Sequence, residues 1–162
     1  MRIAVSACLL GEACRYDGRS KPCARVQELA ALGHELVPVC PEVAGGLPTP
    51  RTPCEIVQAP WMESEKAHTA DERPWTILDA SGADRTAAYS LGAQAELARA
   101  KEAGCELAIL KAKSPSCGSG EIYDGTFSGA LVPGWGIAAA TFRDAGITVI
   151  DETADFSRLS RV

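Results

Sequence analysis

The chain has 162 residues, a formal net charge of -5 at pH 7 and a hydrophobic fraction of 46%. This length fits one domain with a real core, covering residues 1–162 with an irregular insertion at about 51–82. The negative charge argues against nonspecific nucleic-acid binding, which depends on basic surfaces. No apolar run is long enough to span a membrane, and Ile3–Val5 is too short for the core of a signal peptide. These features predict a cytoplasmic protein.

Short apolar segments alternate with helical patterns along the chain. Strands are predicted at 2–6, 36–39, 107–110 and 147–150, and helices from about 21, from 84 or 86, and over 136–145. This alternation predicts an α/β fold, a small Rossmann-like or flavodoxin-like parallel sheet of about four strands with flanking helices. Residues 55–57 and 75–78 are predicted to form a small β-hairpin insertion, with a mobile polar stretch over 59–74. Residues 122–127 are predicted to form another hairpin or a loop.

The predicted helix before the third strand contains apolar residues at helical spacing. Ala88, Leu91, Ala95 and Ala98 recur along one side of this segment. Such spacing is typical of the face that a helix buries. Gly104 is placed where the helix is expected to end.

Seven cysteines are many for a chain of this length. Their odd number and the absence of an export signal argue against a full disulfide framework. In a reducing compartment such thiols are buried small hydrophobes, catalytic groups or metal ligands.

Three cysteines follow the ends of three predicted strands: Cys8, Cys40 and Cys117. Open α/β sheets bind ligands beyond the carboxyl ends of their strands, so these thiols are expected to meet at one edge. Three thiolates together repel one another unless a soft metal binds them. An iron–sulfur cluster with one open iron and a zinc with an open fourth position both suit this set. The alternative is that the three thiols are simply buried.

The other four cysteines have a simpler interpretation. Packing is the expected role of Cys23, Cys54 and Cys105, because free cysteine is commonly a small buried hydrophobe. Cys14 lies six residues beyond Cys8 and remains a candidate fourth ligand.

Polar residues near the same predicted edge are candidates for the chemistry. Glu42 is two residues beyond Cys40 and is a candidate general base toward water, or a solvated loop carboxylate. Ser114 and Ser116 are candidates to donate hydrogen bonds to a substrate or to cluster sulfur. Their alternative role is ordinary turn chemistry beside Pro115.

Three motifs in this order resemble one known family. They are Ser6–Gly11 with Arg15–Gly18, Cys40–Glu42 with Gly45–Leu47, and Lys113–Gly118. The chain is similar through these motifs to the thiouracil desulfidase family, which was long catalogued as a domain of unknown function. The resemblance runs from Arg2 to about Ile150.

The resemblance implies a [4Fe-4S] cluster held by Cys8, Cys40 and Cys117, with a fourth iron open to substrate. It implies a thiolated pyrimidine as substrate, 2- or 4-thiouracil, which is converted to uracil and sulfide without redox change. The open iron would bind the thiocarbonyl sulfur while Glu42 activates water. Ser114 matches a catalytic and substrate-contacting position, and Ser116 is the second candidate for substrate contact.

Other functions remain open at this point. One is a zinc- or cluster-binding module that handles sulfur without turning over thiouracil. Another is a nucleotide-binding or structural domain whose cysteines only pack. The substrate of an enzyme could be a free base, a nucleoside or a thiolated tRNA component, and the oligomeric state is left open.

Overall fold

A computed structural model describes residues 1–57 and 75–159 of the chain. A 3-10 helix at Ala7–Leu10 follows the first strand. The strands and longer helices, in chain order, are β1 (Arg2–Ser6), α1 (Ala24–Ala31), β2 (Glu35–Val39), α2 (Pro41–Ala44), β3 (Cys54–Val57), β4 (Thr76–Asp79), α3 (Thr86–Glu102), β5 (Leu107–Leu110), β6 (Ser119–Tyr123), β7 (Leu131–Trp135), α4 (Ile137–Asp144) and β8 (Thr148–Asp151).

The centre of the fold is a parallel sheet with the strand order β2-β1-β5-β8. In its register, Val5 of β1 lies opposite Pro38 of β2 and Ile109 of β5. All four strands run in one direction, so their carboxyl ends form a single edge. The α/β fold with about four parallel strands is therefore confirmed.

Both faces of the sheet are covered, as parallel sheets require. On one face Ala4 and Leu110 pack with residues of α3 and α4, including Phe142. On the other face Ile3 and Val5 pack against α1 and the chain after β8. Successive residues of β1 thus enter opposite cores, because side chains alternate along a strand.

Two antiparallel hairpins accompany the sheet. β3 pairs with β4, so the predicted hairpin insertion is confirmed. The predicted mobile stretch over 59–74 lies outside the described residues. β6 pairs with β7, whose strand pattern was not recognised because Pro133 and Gly134 interrupt it.

The buried face of α3 differs from the predicted one. Leu91 is 61% exposed, whereas Tyr89, Gly92 and Glu96 are buried. Small apolar residues surround this helix on several sides, so spacing alone could not identify the packed face. A buried tyrosine and a buried glutamate on that face point to polar partners inside the protein.

Two helix predictions need correction. α1 begins at Ala24 rather than at about residue 21, because the backbone N–H groups of Lys21 and Cys23 donate to the carbonyls of Cys8 and Leu9. This bonding keeps residues 21–23 extended. The short helix α2 was not predicted, although Pro41 is at a position that suits the first turn of a helix.

Within the described residues, none of the helices combines the length and apolar character needed to cross a bilayer.

Candidate active site

A cavity of about 640 Å³ opens at the carboxyl edge of the sheet, where β1, β2 and β5 end. Cys8, Cys40, Cys117, Glu42 and Ser116 all line it. Residues separated by up to about a hundred positions in sequence therefore share one space. Strand ends in an open α/β sheet bring this about without any local motif.

The three predicted ligand thiols come from different backbone settings. Cys8 lies in the 3-10 helix after β1 and is 7% exposed. Cys40 immediately precedes α2, and its N–H donates to Glu96 Oε1 at 3.2 Å. Cys117 lies in the turn after β5 and is 5% exposed. Each sulfur is thus carried by a segment whose backbone is hydrogen-bonded.

Cys14 joins this group of thiols. Its sulfur is in hydrogen-bonding contact with the sulfurs of Cys8 and Cys40. The contact with Cys40 lowers the pKa of Cys14, but the contact with Cys8 and burial raise it more, to about 11. Contact with Cys14 and burial both raise the pKa of Cys40. Four thiols therefore share the cavity.

Burial dominates the environment of Cys117. It raises the pKa of this thiol to about 12, although hydrogen bonds from Ser6 and Ser116 act in the opposite direction. A desolvated thiol stays protonated unless a cation compensates for the charge. Binding to a metal would supply that cation.

The Glu42 carboxylate accepts hydrogen bonds from three side chains. Tyr89 OH and Arg51 Nε donate to Oε1 at 2.8 Å and 3.2 Å. Ser116 Oγ donates to Oε2 at 3.0 Å. Glu42 is therefore a fixed carboxylate in the cavity wall and not a freely solvated loop residue.

The two serines occupy distinct positions. The Ser114 hydroxyl accepts the N–H groups of Ser116 and Cys117, each at 3.2 Å. The Ser116 hydroxyl lies 2.9 Å from Ser114 Oγ and 3.5 Å from Cys117 Sγ. Ser114 thus supports the turn, while Ser116 links that turn to Glu42. Both line the cavity.

A model of the family described as 2-thiouracil desulfurase matches residues 3–154. The chain belongs to this family. The protein YbbK of Bacillus subtilis (strain 168), described as uncharacterised, is 44% identical over 150 residues, which are 93% of this chain and 95% of YbbK. A solved [4Fe-4S]-dependent thiouracil desulfidase, TudS, is 41% identical, with a TM-score of 0.77 over 94% of this chain and 91% of TudS. The family resemblance is confirmed.

Within this 2-thiouracil desulfurase chain, the remaining cysteines divide into two kinds. All seven cysteines lie in the described ranges and are free thiols. Cys105 is buried in the core between α3, α4 and the sheet, and Cys23 packs against the opposite core. Cys54 is different from the prediction, because it lines the cavity and contacts the Tyr89 hydroxyl.

Three polar residues of the site were missed from the sequence: Arg51, Tyr89 and Glu96. Arg51 follows a proline-rich run, and its guanidinium also donates to the carbonyl of Cys14 at 2.8 Å. Tyr89 and Glu96 are on α3, far from the cysteine motifs in sequence. Their spacing of seven residues places them on one face of a helix, which is the signal that could have identified them.

Single-ion metal sites were also sought across residues 1–57 and 75–159. No three His, Cys, Asp or Glu side chains in these ranges are grouped closely enough to hold one metal ion. The thiols of Cys8, Cys40 and Cys117 share a cavity, but they do not surround one point.

Proposed function

We propose that this chain is an iron–sulfur-dependent desulfidase that converts a thiolated pyrimidine, 2- or 4-thiouracil, into uracil and sulfide. Membership of the 2-thiouracil desulfurase family supports this reaction class. The observation that carries the proposal is that three thiols and a fixed carboxylate line one cavity. Catalysis needs a sulfur-binding centre and a base within one space, and this cavity offers both.

The donor set fits a [4Fe-4S] cluster held by Cys8, Cys40 and Cys117. A zinc site needs its thiolates about 2.3 Å from one ion. A cluster instead binds each thiolate through a different iron, so it suits thiols that line a cavity without surrounding one point. The similar TudS chain is a [4Fe-4S]-dependent enzyme. When bound, such a cluster supplies an open iron that takes the thiocarbonyl sulfur and polarises the carbon–sulfur bond.

Glu42 is proposed to act as the general base. Its carboxylate takes a proton from a water molecule, and the resulting hydroxide adds to the carbon that bears sulfur. The carbon–sulfur bond then breaks, the carbonyl forms and sulfur leaves as sulfide. One water is consumed, and neither carbon nor sulfur changes its redox state in the overall hydrolysis.

The serines are proposed to position the substrate and the base. Ser116 donates to the Glu42 carboxylate, so it aligns the oxygen on the side of Cys117. Ser114 holds the turn through two backbone N–H groups and shares a hydrogen bond with Ser116. Contact of Ser114 with the pyrimidine remains a proposal.

The decisive experiment is anaerobic reconstitution followed by measurement of iron, acid-labile sulfide and sulfide release from thiolated bases. The cysteine variants Cys8→Ala, Cys40→Ala and Cys117→Ala should each fail to load the cluster. Cys105→Ala is the matched control, because this thiol is in the core away from the cavity, and it should load normally. Full loading of any of the three cavity variants would contradict the assignment of that ligand.

The substrate panel should compare 2-thiouracil and 4-thiouracil with 4-thiouridine. Sulfide release together with stoichiometric uracil or uridine supports the desulfidase. A fully loaded protein that releases no sulfide from any of them supports the alternative, a cluster-binding module that handles sulfur without thiouracil turnover. Zinc in place of iron would support the zinc-binding form of that module.

A further inference from the structure

The two carboxylate oxygens of Glu42 have unequal surroundings. Oε1 accepts the Tyr89 hydroxyl at 2.8 Å and the Arg51 guanidinium at 3.2 Å. Oε2 accepts the hydroxyl of Ser116 at 3.0 Å, on the side of Cys117. One oxygen is thus held between a neutral donor and a cation, while the other is directed toward the thiol side of the cavity.

Tyr89 reaches Glu42 because α2 and α3 approach each other very closely. A Cβ at Gly92 would overlap with the carbonyl oxygen of Pro41, and a Cβ at Gly45 would overlap with that of Ala88. The two helices are therefore in backbone contact, which only glycine at both positions permits. This contact fixes the distance between the Tyr89 hydroxyl and the first turn of α2.

The same face of α3 also holds the other end of the Cys40–Glu42 segment. Glu96 is 3% exposed, and it accepts the Cys40 N–H and pairs with Arg99 at 2.7 Å. Tyr89 and Glu96 are separated by seven residues, or about two helical turns. Both the cysteine and the carboxylate of the segment are thus hydrogen-bonded to one rigid helix.

We propose that Tyr89 is a positioning residue for the reaction, because its hydroxyl, together with Arg51, anchors Oε1 of Glu42 and leaves Oε2 as the oxygen that takes the proton from water. This inference rests on the proposed function of Glu42 as the base. Tyr89 acts through the carboxylate and touches no reacting atom.

The surroundings of Tyr89 suit a permanent hydrogen-bond donor. The side chain is 1% exposed, and burial followed by the negative charge of Glu42 raises the pKa of its phenol. The hydroxyl therefore keeps its proton. A hydrogen bond to a charged group contributes about 1.5–3 kcal/mol, and its loss would let the carboxylate rotate.

The test is Tyr89→Phe, measured on anaerobically reconstituted protein with 4-thiouracil. This substitution removes the hydroxyl and keeps the ring that fills the core. We expect kcat to fall about tenfold, the effect of losing one hydrogen bond to a charged group, with KM, iron and acid-labile sulfide unchanged. Ser90→Ala is the matched control, because it removes a hydroxyl from the next position of α3 outside the cavity lining, and it should keep the parent kcat.

A double-mutant cycle separates positioning from a general structural effect. If Tyr89 acts through Glu42, then Tyr89→Phe should cost nothing further in a Glu42→Gln background. Equal effects of Tyr89→Phe in the two backgrounds would overturn the proposal, as would parent kcat in the single variant or loss of cluster loading. A slow Glu42→Gln with a normal Tyr89→Phe overturns positioning alone. Parent activity in Glu42→Gln overturns the base itself, and positioning with it.

Discussion

The hydroxyl of Ser116 is a good example of how single atoms define this site. It is almost fully buried, yet its oxygen is within hydrogen-bonding distance of Glu42, Ser114 and the sulfur of Cys117. Buried polar atoms that are satisfied in this way are held in one arrangement, because leaving a partner unpaired is costly. The geometry therefore joins a base and a ligand thiol through one side chain.

Replacing Glu42 by alanine should leave the cluster in place and remove turnover. The side chain supplies no ligand in our proposal, but losing a general base commonly lowers the rate by about 100-fold or more. Iron content, visible absorption and sulfide release from 4-thiouracil measure the two effects separately. Parent turnover in this variant would show that another group activates water.

The two serines should respond differently to alanine substitution. Ser116→Ala removes a donor to Glu42, so we expect normal cluster content and a kcat reduced about tenfold. Ser114→Ala leaves the N–H groups of Ser116 and Cys117 without their acceptor, so we expect weaker cluster retention and lower stability. Iron content during anaerobic dialysis distinguishes them, and equal retention by the two variants would contradict this division of roles.

At the scale of elements, the close packing of α2 on α3 is the decisive feature. α2 has only four residues, and helices this short are not stable by themselves in water. It is held by α3 through the backbone contact at Gly45 and Gly92 and through the hydrogen bonds from Tyr89 and to Glu96. The orientation of the Cys40–Glu42 segment is therefore a property of two helices together.

Gly92→Ala should destabilise the protein although alanine favours helices. Its Cβ would overlap with the Pro41 carbonyl, and overpacking of this kind costs about 1–3 kcal/mol. Urea unfolding measures this loss. Gln94→Ala, on the exposed side of the same helix, is the control and should change stability by less than about 0.5 kcal/mol. A Gly92→Ala variant as stable as the parent would show that the two helices can move apart freely.

The β3–β4 hairpin contains a carboxylate with a marked pH dependence. Hydrogen bonds from the Ser81 hydroxyl, the Ala83 N–H and Arg85 lower the pKa of Asp79 from 3.8 to about 2. A carboxyl group with a lowered folded-state pKa stabilises the fold above its unfolded pKa. That contribution should be lost as the pH falls from about 4 toward 2.

The test compares urea midpoints of the parent and Asp79→Asn between pH 2 and pH 5. The parent should lose stability more steeply over this window than the variant, because the variant has no carboxyl group to protonate at this position. Parallel curves for the two proteins would assign the acid sensitivity to other groups.

At the scale of the whole molecule, the cavity depends on the assembled sheet. Cys8 follows β1, Cys40 follows β2 and Cys117 follows β5, so the three thiols meet only after these strands have paired. A ligand that binds only such an assembled site stabilises the folded state by mass action. Cluster binding and folding are therefore expected to be coupled.

Cluster loading should raise the thermal unfolding midpoint of the parent protein under anaerobic conditions. The Cys117→Ala protein, taken through the same reconstitution, should show no rise because one ligand is missing. Differential scanning fluorimetry in an oxygen-free chamber measures both. Identical midpoints for loaded and unloaded parent protein would rule out the coupling.

Much of the architecture was predictable because it depends on local patterns. β1 contains Ile3 and Val5, whose β-branched side chains suit a buried strand, and its predicted bounds agree with the structure. Alternation of such strands with helices leads to a parallel sheet, and a parallel sheet brings its carboxyl ends together. The meeting of Cys8, Cys40 and Cys117 at one cavity followed from this reasoning without coordinates.

The tertiary structure alone decided which face α3 buries and which groups surround Glu42. The hydrogen bond between Tyr89 and Glu42 spans 47 residues in sequence, and no periodicity records such a pair. It depends on two glycines that let two backbones touch, a contact visible only when both helices are in place. Strand pattern is a short-range property of neighbouring residues, whereas the partners of a buried carboxylate are set by the packing of distant elements.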